Sequence, residues 1–471
     1  MWVRGMPIVV GAAAITGCLQ LAGAQGCDPV EVTKLLASDG EFREEFGRCV
    51  SISGDTAVIG APLDDENGSR SGSAYVFLRD SGVWTQQAKL TASDGGANDD
   101  FGRAVSISGD TAVIGASSHN GSDFLSGAVY VFARSGGIWT QQAKLLPDDG
   151  ASMDRFGSSV SISGDTIVVG ATWDDDNGSN SGSAYVFTRA NGVWTQNAKL
   201  LPDVGSENAI FGNSVALNGT TIVVGAEGAT NNSVQSGAAY VFARSNGVWT
   251  QQALLLSSDA DSGDYFGCSV SVDGDTAVIG AYQDDDNGSN SGSAYVFTRS
   301  GGGGSTWIRQ AKLLSDDGDG LDYFGHSVSI VGDTVVAGAI GTGDNGFTSG
   351  SAYVFIRNSG AWAQQAKFIA SDGQSADNFG YSVSTTEDTA ITGAHFHDDN
   401  GPNTGAAYIF DLNCNTCPAD LTGDAVVDTR DFVAFLNAWA AGETLADWDQ
   451  NGLIDTRDFV AYLNDWVVGC P

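Results

Sequence analysis

Asp174, Asp175 and Asp176 run into an Asn-Gly turn in the stretch DDDNGSNSG, and the same nine residues recur from Asp284 to Gly292. Three adjacent carboxylates offer three kinds of chemistry. Oxygens alternating around a tight turn make a calcium loop. An acid and a base at a set separation, with pKa values driven apart by their surroundings, hydrolyse a glycosidic bond. Asp, Asn, Gly and Ser are also what well-solvated turns are made of. The stretch has no carboxylate after its turn, so calcium there is expected to be weak or absent. Similar carboxylates recur along the chain in loops expected to be solvated, which suits hydrolysis poorly. No Ser-His-Asp order, phosphate loop or zinc-type Cys/His spacing is present, so no catalytic residue is assigned. In HFHDD, His395 and His397 are placed to share one strand face and to bind a metal with Asp398 or Asp399.

A second constellation lies near the C-terminus, where ADLTGDAVVDTRDFVAFLNAW and ADWDQNGLIDTRDFVAYLNDW are copies of one 27-residue unit. Asp447, Asp449, Asn451, Asp455 and Asp458 occupy positions 1, 3, 5, 9 and 12 of a loop with Gly452 at its sharp turn and Leu453 offering a carbonyl. Asp420, Thr422, Asp424, Asp428 and Asp431 do so in the first copy, with Val426 for the carbonyl and Ala425 at the turn. Each loop opens a helix with one apolar face. A duplicated loop-helix ending in Asp resembles the dockerin domain of bacterial extracellular assemblies. The resemblance implies two calcium ions and a cohesin-like or cell-surface anchoring partner, with recognition at Thr429, Arg430, Thr456 and Arg457. Cys417 and Cys470 bracket the unit and are expected to clamp its ends.

These loops need elements to hold them. Phe-Gly recurs at Phe46, Phe101, Phe156, Phe211, Phe266, Phe324 and Phe379, at intervals of 55 residues with one of 58. Within a copy, FGSSVSIS alternates, TIVVGA is apolar on both faces, GSAYVFTR alternates again, and VWTQNAKLL follows a turn. This predicts four antiparallel strands, the second covered from both sides by neighbouring copies. Radial stacking of seven such blades is a β-propeller. The last copy lacks its fourth strand, and Val32 to Gly40 matches that strand's tail, so the N-terminal strand should close the ring. Closure brings Cys27 and Cys414 together as an expected disulfide, while Cys49 and Cys268 are expected to stay unpaired. In such a meander the DDDNGSNSG loop and the inter-blade ASDGGANDD loop share one acidic face, and tight Gly-Asp turns form the other.

Phe-Gly followed by Val-x-Gly-Ala, as in FGRAVSISGDTAVIGA, resembles the FG-GAP repeat of integrin α-chain propellers over roughly residues 30 to 413. The resemblance implies a seven-bladed propeller that binds extracellular partners and often calcium. The family's calcium loop lies between the Phe-Gly strand and the Gly-Ala strand, where this chain has only SGD.

With 57 acidic against 21 basic residues the net charge is -36, which disfavours nucleic acid as a partner. The opening MWVRGMPIVVGAAAITGCLQLAGAQG has the layout of a secretory signal, with cleavage after Ala24 favoured over a lipoprotein-like site at Cys18. No later segment is long and apolar enough to span a membrane. The expected organisation is a signal at 1–24, a mainly β propeller at 25–413 and a small α-helical, dockerin-like calcium-binding domain at 414–471. The expected function is non-catalytic binding of an extracellular protein or glycan through the acidic face, by a secreted protein tethered at the bacterial surface. The alternatives are an enzyme or accessory subunit of a polysaccharide-degrading assembly and a structural surface-layer component.

Overall fold

The computed structural model describes residues 29–412 except 232, 233, 260, 301–305 and 400, and, further on, 419, 421, 427, 429–442, 446–448 and 453–468. The chain divides into two units near residue 414, and each is described by itself.

The first unit is a ring of seven four-stranded antiparallel sheets. In the first blade the strands are Cys49–Ser53, Thr56–Ala61, Ser73–Asp80 and Val83–Leu90. First strands of adjacent blades touch all the way around, so they line the axis and the fourth strands lie outermost. The second strand is buried on both faces, with Ala57, Val58 and Ile59 fully covered. Its side chains point alternately into two layers: Ile59 packs with Ile391 and Ile409 of the last blade, and Val58 with Ile107 and Ile114 of the second. The core is therefore a set of layers between blades, which explains why a strand with no polar face recurs in every copy.

The ring closes as the sequence implies. Strand Val30–Leu35 pairs antiparallel with Ala406–Asp411 and becomes the fourth strand of the seventh blade, with Leu35 opposite Ala407. Closure leaves the seventh sheet the same four strands as the rest, so Ala406–Asp411 is not left as an uncovered edge.

The Phe-Gly pair is the stitch between blades. Phe46 is fully buried, edge-on to Tyr75 and Phe77 at 5.4 and 6.1 Å. Its N–H donates to Thr404 of the preceding blade at 3.0 Å. Gly47 has φ 89°, and a Cβ there would lie 2.2 Å from the Ala406 carbonyl oxygen, so only glycine fits.

The second unit contains α1 (Thr429–Ala441) and α2 (Thr456–Val468). Phe435 and Tyr462, which hold equivalent positions in the two sequence copies, are both fully buried and stack at 4.0 Å. Among the described residues no helix is long and apolar enough to cross a membrane.

Candidate functional site

The repeated carboxylates of the long-looped face are held by the protein itself. In the third blade Asp174 is buried, and its Oδ2 accepts hydrogen bonds from the Tyr185 hydroxyl and Lys199 Nζ, each at 2.8 Å. Asp174 Oδ1 accepts from Ser183 Oγ at 2.8 Å and from the Asp176 N–H at 3.1 Å. Lys199 also reaches Asp149 at 2.8 Å and Asp176 at 2.5 Å. Asp175 accepts the Asn180 N–H at 2.6 Å and closes the turn. The three adjacent acids thus have three separate structural tasks. The expectation of a solvated loop fails at Asp174, which is 3% exposed, because the fourth strand delivers an ammonium to it.

Burial opposes ionisation of Asp174, but the hydrogen bonds from Lys199, the Asp176 N–H, Ser183 and Tyr185 outweigh it and hold its carboxyl below the usual range. Burial likewise opposes charge on Lys199, and its three carboxylate partners raise its pKa nonetheless.

All six lysines of the sequence stand at this one position of the repeat: Lys34, Lys89, Lys144, Lys199, Lys312 and Lys367. Each is within salt-bridge distance of two or more carboxylates or of a carboxylate and a histidine. The fourth blade lacks the lysine, and there Leu254, Val204 and Ala229 replace Lys, Asp and Asp together. The opposite face works the same way. Its Gly-Asp turns aim Asp55, Asp110 and Asp165 at Arg79, Arg134 and Arg189, at 2.6 to 2.7 Å. Arg134 also donates to Thr56 of the neighbouring blade at 3.0 Å.

A third group of acids lies two residues before six of the seven Phe-Gly pairs, Ala209 standing there in the fourth blade. Burial, then the charge of Asp64, pushes Glu44 up to about 7, and its Oε2 has no hydrogen-bond partner. Burial also pushes Asp154 and Asp264 up to about 6, with Asp174 and Asp284 adding to it. Where the facing residue is histidine the acid pairs with it instead: Asp99 with His119 Nδ1 at 2.7 Å, Asp377 with His397 Nδ1 at 2.8 Å.

His395 and His397 do not share a site. His397 Nε2 lies 3.1 Å from Asp399 and 3.8 Å from Asp372, and the Lys34 ammonium sits against both carboxylates. Those three side chains have metal-ligand spacing, but an internal cation already serves them. His395 lies against Tyr381 with ring centres 4.0 Å apart and the planes tilted by 53°, and there burial, then the charges of Arg48 and His326, keep it far below its ordinary pKa.

Around the axis the repeat abandons its uniformity. The residue before each Phe-Gly is Glu45, Asp100, Arg155, Ile210, Tyr265, Tyr323 or Asn378, and every one has φ between 54° and 61°. This left-handed conformation is cheap for Gly or Asn and a genuine outlier for Ile. Two residues after each Phe stand Arg48, Arg103, Ser158, Asn213, Cys268, His326 and Tyr381. Blades one to three contribute charge to this mouth and blades five to seven contribute rings: Tyr265 stacks on Tyr282 at 5.3 Å, and His326 lies 4.7 Å from Tyr381. Across blades two to four opens a pocket of about 530 Å³, lined by Arg103, Arg155, Asp100, Trp173, Asn213 and Glu227 among others. Burial pushes Glu227 up to about 7. Sequence reasoning passed over these positions because it followed the motif that repeats; the signal was the variation immediately beside Phe-Gly.

A profile described as the FG-GAP repeat matches residues 29–77, 84–132, 139–187, 194–242, 249–297, 307–355 and 362–410. The chain belongs to the FG-GAP repeat family. Its seven FG-GAP units each begin with one blade's fourth strand and end in the third strand of the next, which is the register that ring closure requires. The crystal structure of Saccharomyces cerevisiae Sqt1 aligns with 82% of this FG-GAP chain and 99% of its own, at 12% identity and TM-score 0.43. No curated protein matches.

In the C-terminal unit, Asp431 and Asp458 are fully buried in the first turns of α1 and α2, and Asp458 accepts the Asp455 N–H at 2.8 Å. Asp455 pairs with Arg457 at 2.7 Å, Asp447 is half-buried, and Leu453 is exposed. Buried carboxylates closing oxygen-rich loops are a donor set that suits a hard cation such as calcium. Thr429, Arg430, Thr456 and Arg457 are all exposed. Asp420, Thr422, Asp424, Val426, Asp428, Asp449 and Asn451 lie outside the described residues, as do residues 1–24, where a signal was expected, and Cys27, Cys414, Cys417 and Cys470. Cys49 and Cys268 are free thiols, as expected.

Proposed function

We propose that this is an exported, non-catalytic binding propeller. It takes an extracellular protein or glycan at the axial mouth of its long-looped face and is tethered to a cell-surface or extracellular assembly by a calcium-loaded, dockerin-like C-terminal unit. The observation that carries the reading is the run of seven left-handed residues before Phe-Gly. If that position served only the fold, Gly or Asn would fill it throughout. Glu, Asp, Arg, Ile and Tyr stand there instead, so side-chain chemistry at the mouth outweighs backbone comfort, which is the pattern of a functional site. Apart from Glu44, the rim carboxylates described above favour no hydrolytic role, because they are committed to a lysine, a tyrosine, a histidine or a turn. Loops on a rigid scaffold commonly carry recognition.

The test is a screen of the full chain against glycan and surface-protein arrays, run beside a hydrolase panel. Binding that Tyr323→Ala or Trp173→Ala removes, with no turnover, is the expected result. Turnover of a polysaccharide that Asp174→Asn abolishes, in a variant that still folds, would overturn it.

A further inference from the structure

Among the described residues, Arg103 is the guanidinium of the axial mouth that has no hydrogen-bonded or ion-paired partner, where Arg48 has Glu45 and Arg155 has Ser118. In the first blade Arg48 pairs with Glu45, three residues before it. In the second blade the residue three before Arg103 is Asp100, one methylene shorter, and it is taken by Arg70 at 3.2 Å and Ser118 at 2.7 Å. Among the described residues the Arg103 guanidinium makes neither ion pair nor hydrogen bond, its backbone N–H alone donating to the Asp100 carbonyl at 3.1 Å, and the neighbouring Arg48 repels it. Surrounding protein, then Arg48, depresses its pKa, yet the side chain stays open to solvent inside the pocket. Two like charges stand near the axis, and the carboxylate nearest the second, Asp100, is bonded to Arg70 and Ser118 instead, which leaves room for an anion.

The remaining walls specify what carries that anion. Trp173 offers an exposed ring with Arg155 stacked on it at 4.9 Å. Ser117, Ser158, Thr172 and Asn213 bring hydroxyls and an amide to the same cavity. With Asp100 already held by Arg70 and Ser118 and Glu227 pushed by burial toward its neutral form, a ring face, neutral hydrogen-bonding groups and one free guanidinium in about 530 Å³ match a small polyhydroxylated ring bearing one negative group.

We propose that the axial pocket binds an acidic sugar residue of a glycan, its carboxylate or sulfate seated on Arg103. This rests on the reading of the mouth as the binding site and adds the chemistry of the ligand. Ser158 occupies the position equivalent to Arg103 in the next blade, so Arg103→Ser is a substitution the fold already accommodates.

The experiment is calorimetric titration of the full chain with galacturonic-acid oligomers, sulfated galactose oligomers and neutral galactose oligomers. The acidic probes should bind at least about tenfold more tightly than the neutral one. Arg103→Ser should remove that difference, and Arg103→Lys should keep part of it. The carboxylate and sulfate arms then identify which anion is preferred. Equal binding of neutral and acidic oligomers, lost on Trp173→Ala, would overturn the anion and leave the mouth as the site. Binding of none of the three, or acidic binding unchanged in Arg103→Ser, would overturn the proposal outright, whereas a ligand displaced only by rim variants would overturn the mouth itself.

Discussion

Lys199 Nζ lies 2.8 Å from the Asp174 carboxylate, although 25 residues separate them and they stand on different loops and strands of the blade. The pair places an internal cation among the three carboxylates Asp149, Asp174 and Asp176 of a face that reads as a cation trap. Lys199→Ala should therefore destabilise the propeller by roughly 3 kcal/mol, the low end for breaking a buried pair, since the lysine keeps some contact with water. Urea unfolding measures it. A loss below about 0.5 kcal/mol, the range of ordinary surface changes, would contradict the role given to the lysine.

The fourth blade supplies the complementary test. Asp149→Val, Asp154→Ala, Asp174→Ala and Lys199→Leu together copy Val204, Ala209, Ala229 and Leu254 into the third blade. Replacing a buried ionic cluster by apolar groups is often neutral or better. The fourfold variant should unfold at a higher urea concentration than Lys199→Ala alone, and failure to do so would contradict the equivalence of the two arrangements.

Stability should peak on the acid side of neutrality. Glu44, Asp154 and Asp264 have raised folded pKa values, near 7, 6 and 6, against ordinary values near 4. Their contribution is present below the unfolded pKa and lost as pH rises through those values. Asp39, Asp94, Asp174 and Asp372 are lowered, so theirs is present above the unfolded pKa and lost as pH falls through the folded value. The optimum falls at roughly pH 4 to 6. Glu44→Gln with Asp154→Asn should flatten the decline between pH 5 and 7, as read from denaturation midpoints. An unchanged decline would remove these acids as its cause.

Ile210 has φ 56°, where Asn378 stands in the seventh blade. Ile210→Asn should relieve on the order of 1 kcal/mol of backbone strain and raise the melting temperature. A lower melting temperature would mean that side-chain packing, not strain, dominates there.

In the C-terminal unit, Gly452 and Ala425 hold the same turn position of the two proposed calcium loops. If position 6 takes positive φ, the Asp447 to Asp458 loop should fill first and Ala425→Gly should strengthen the other. Calcium titration of the full chain that gave two equal sites, unaltered by Ala425→Gly, would remove the strain argument.

Much of this was legible in the sequence. The Phe-Gly spacing pointed to seven blades and the match of Val32 to Gly40 to the missing strand's tail pointed to their closure, because both are patterns along the chain. The neutralisation of Asp174 was not read, because Lys199 and Asp149 meet it only after the meander folds. A trace of it was nonetheless written in the repeats: Leu254, Val204 and Ala229 change together in the one blade without a lysine. The mouth was missed for the opposite reason. Its residues sit beside the strongest motif of the chain and differ in every copy, so periodicity alone gives them no weight.

Competition between mouth and rim tests the central claim most directly. The full chain, Arg103→Ser with Trp173→Ala, and Asp175→Asn with Asp285→Asn would be titrated with one ligand drawn from the array screen. The mouth variant should lose at least about tenfold in affinity, which is 1.4 kcal/mol, and the rim variant should match the unaltered chain. Affinity lost from the rim variant and kept by the mouth variant would contradict the account.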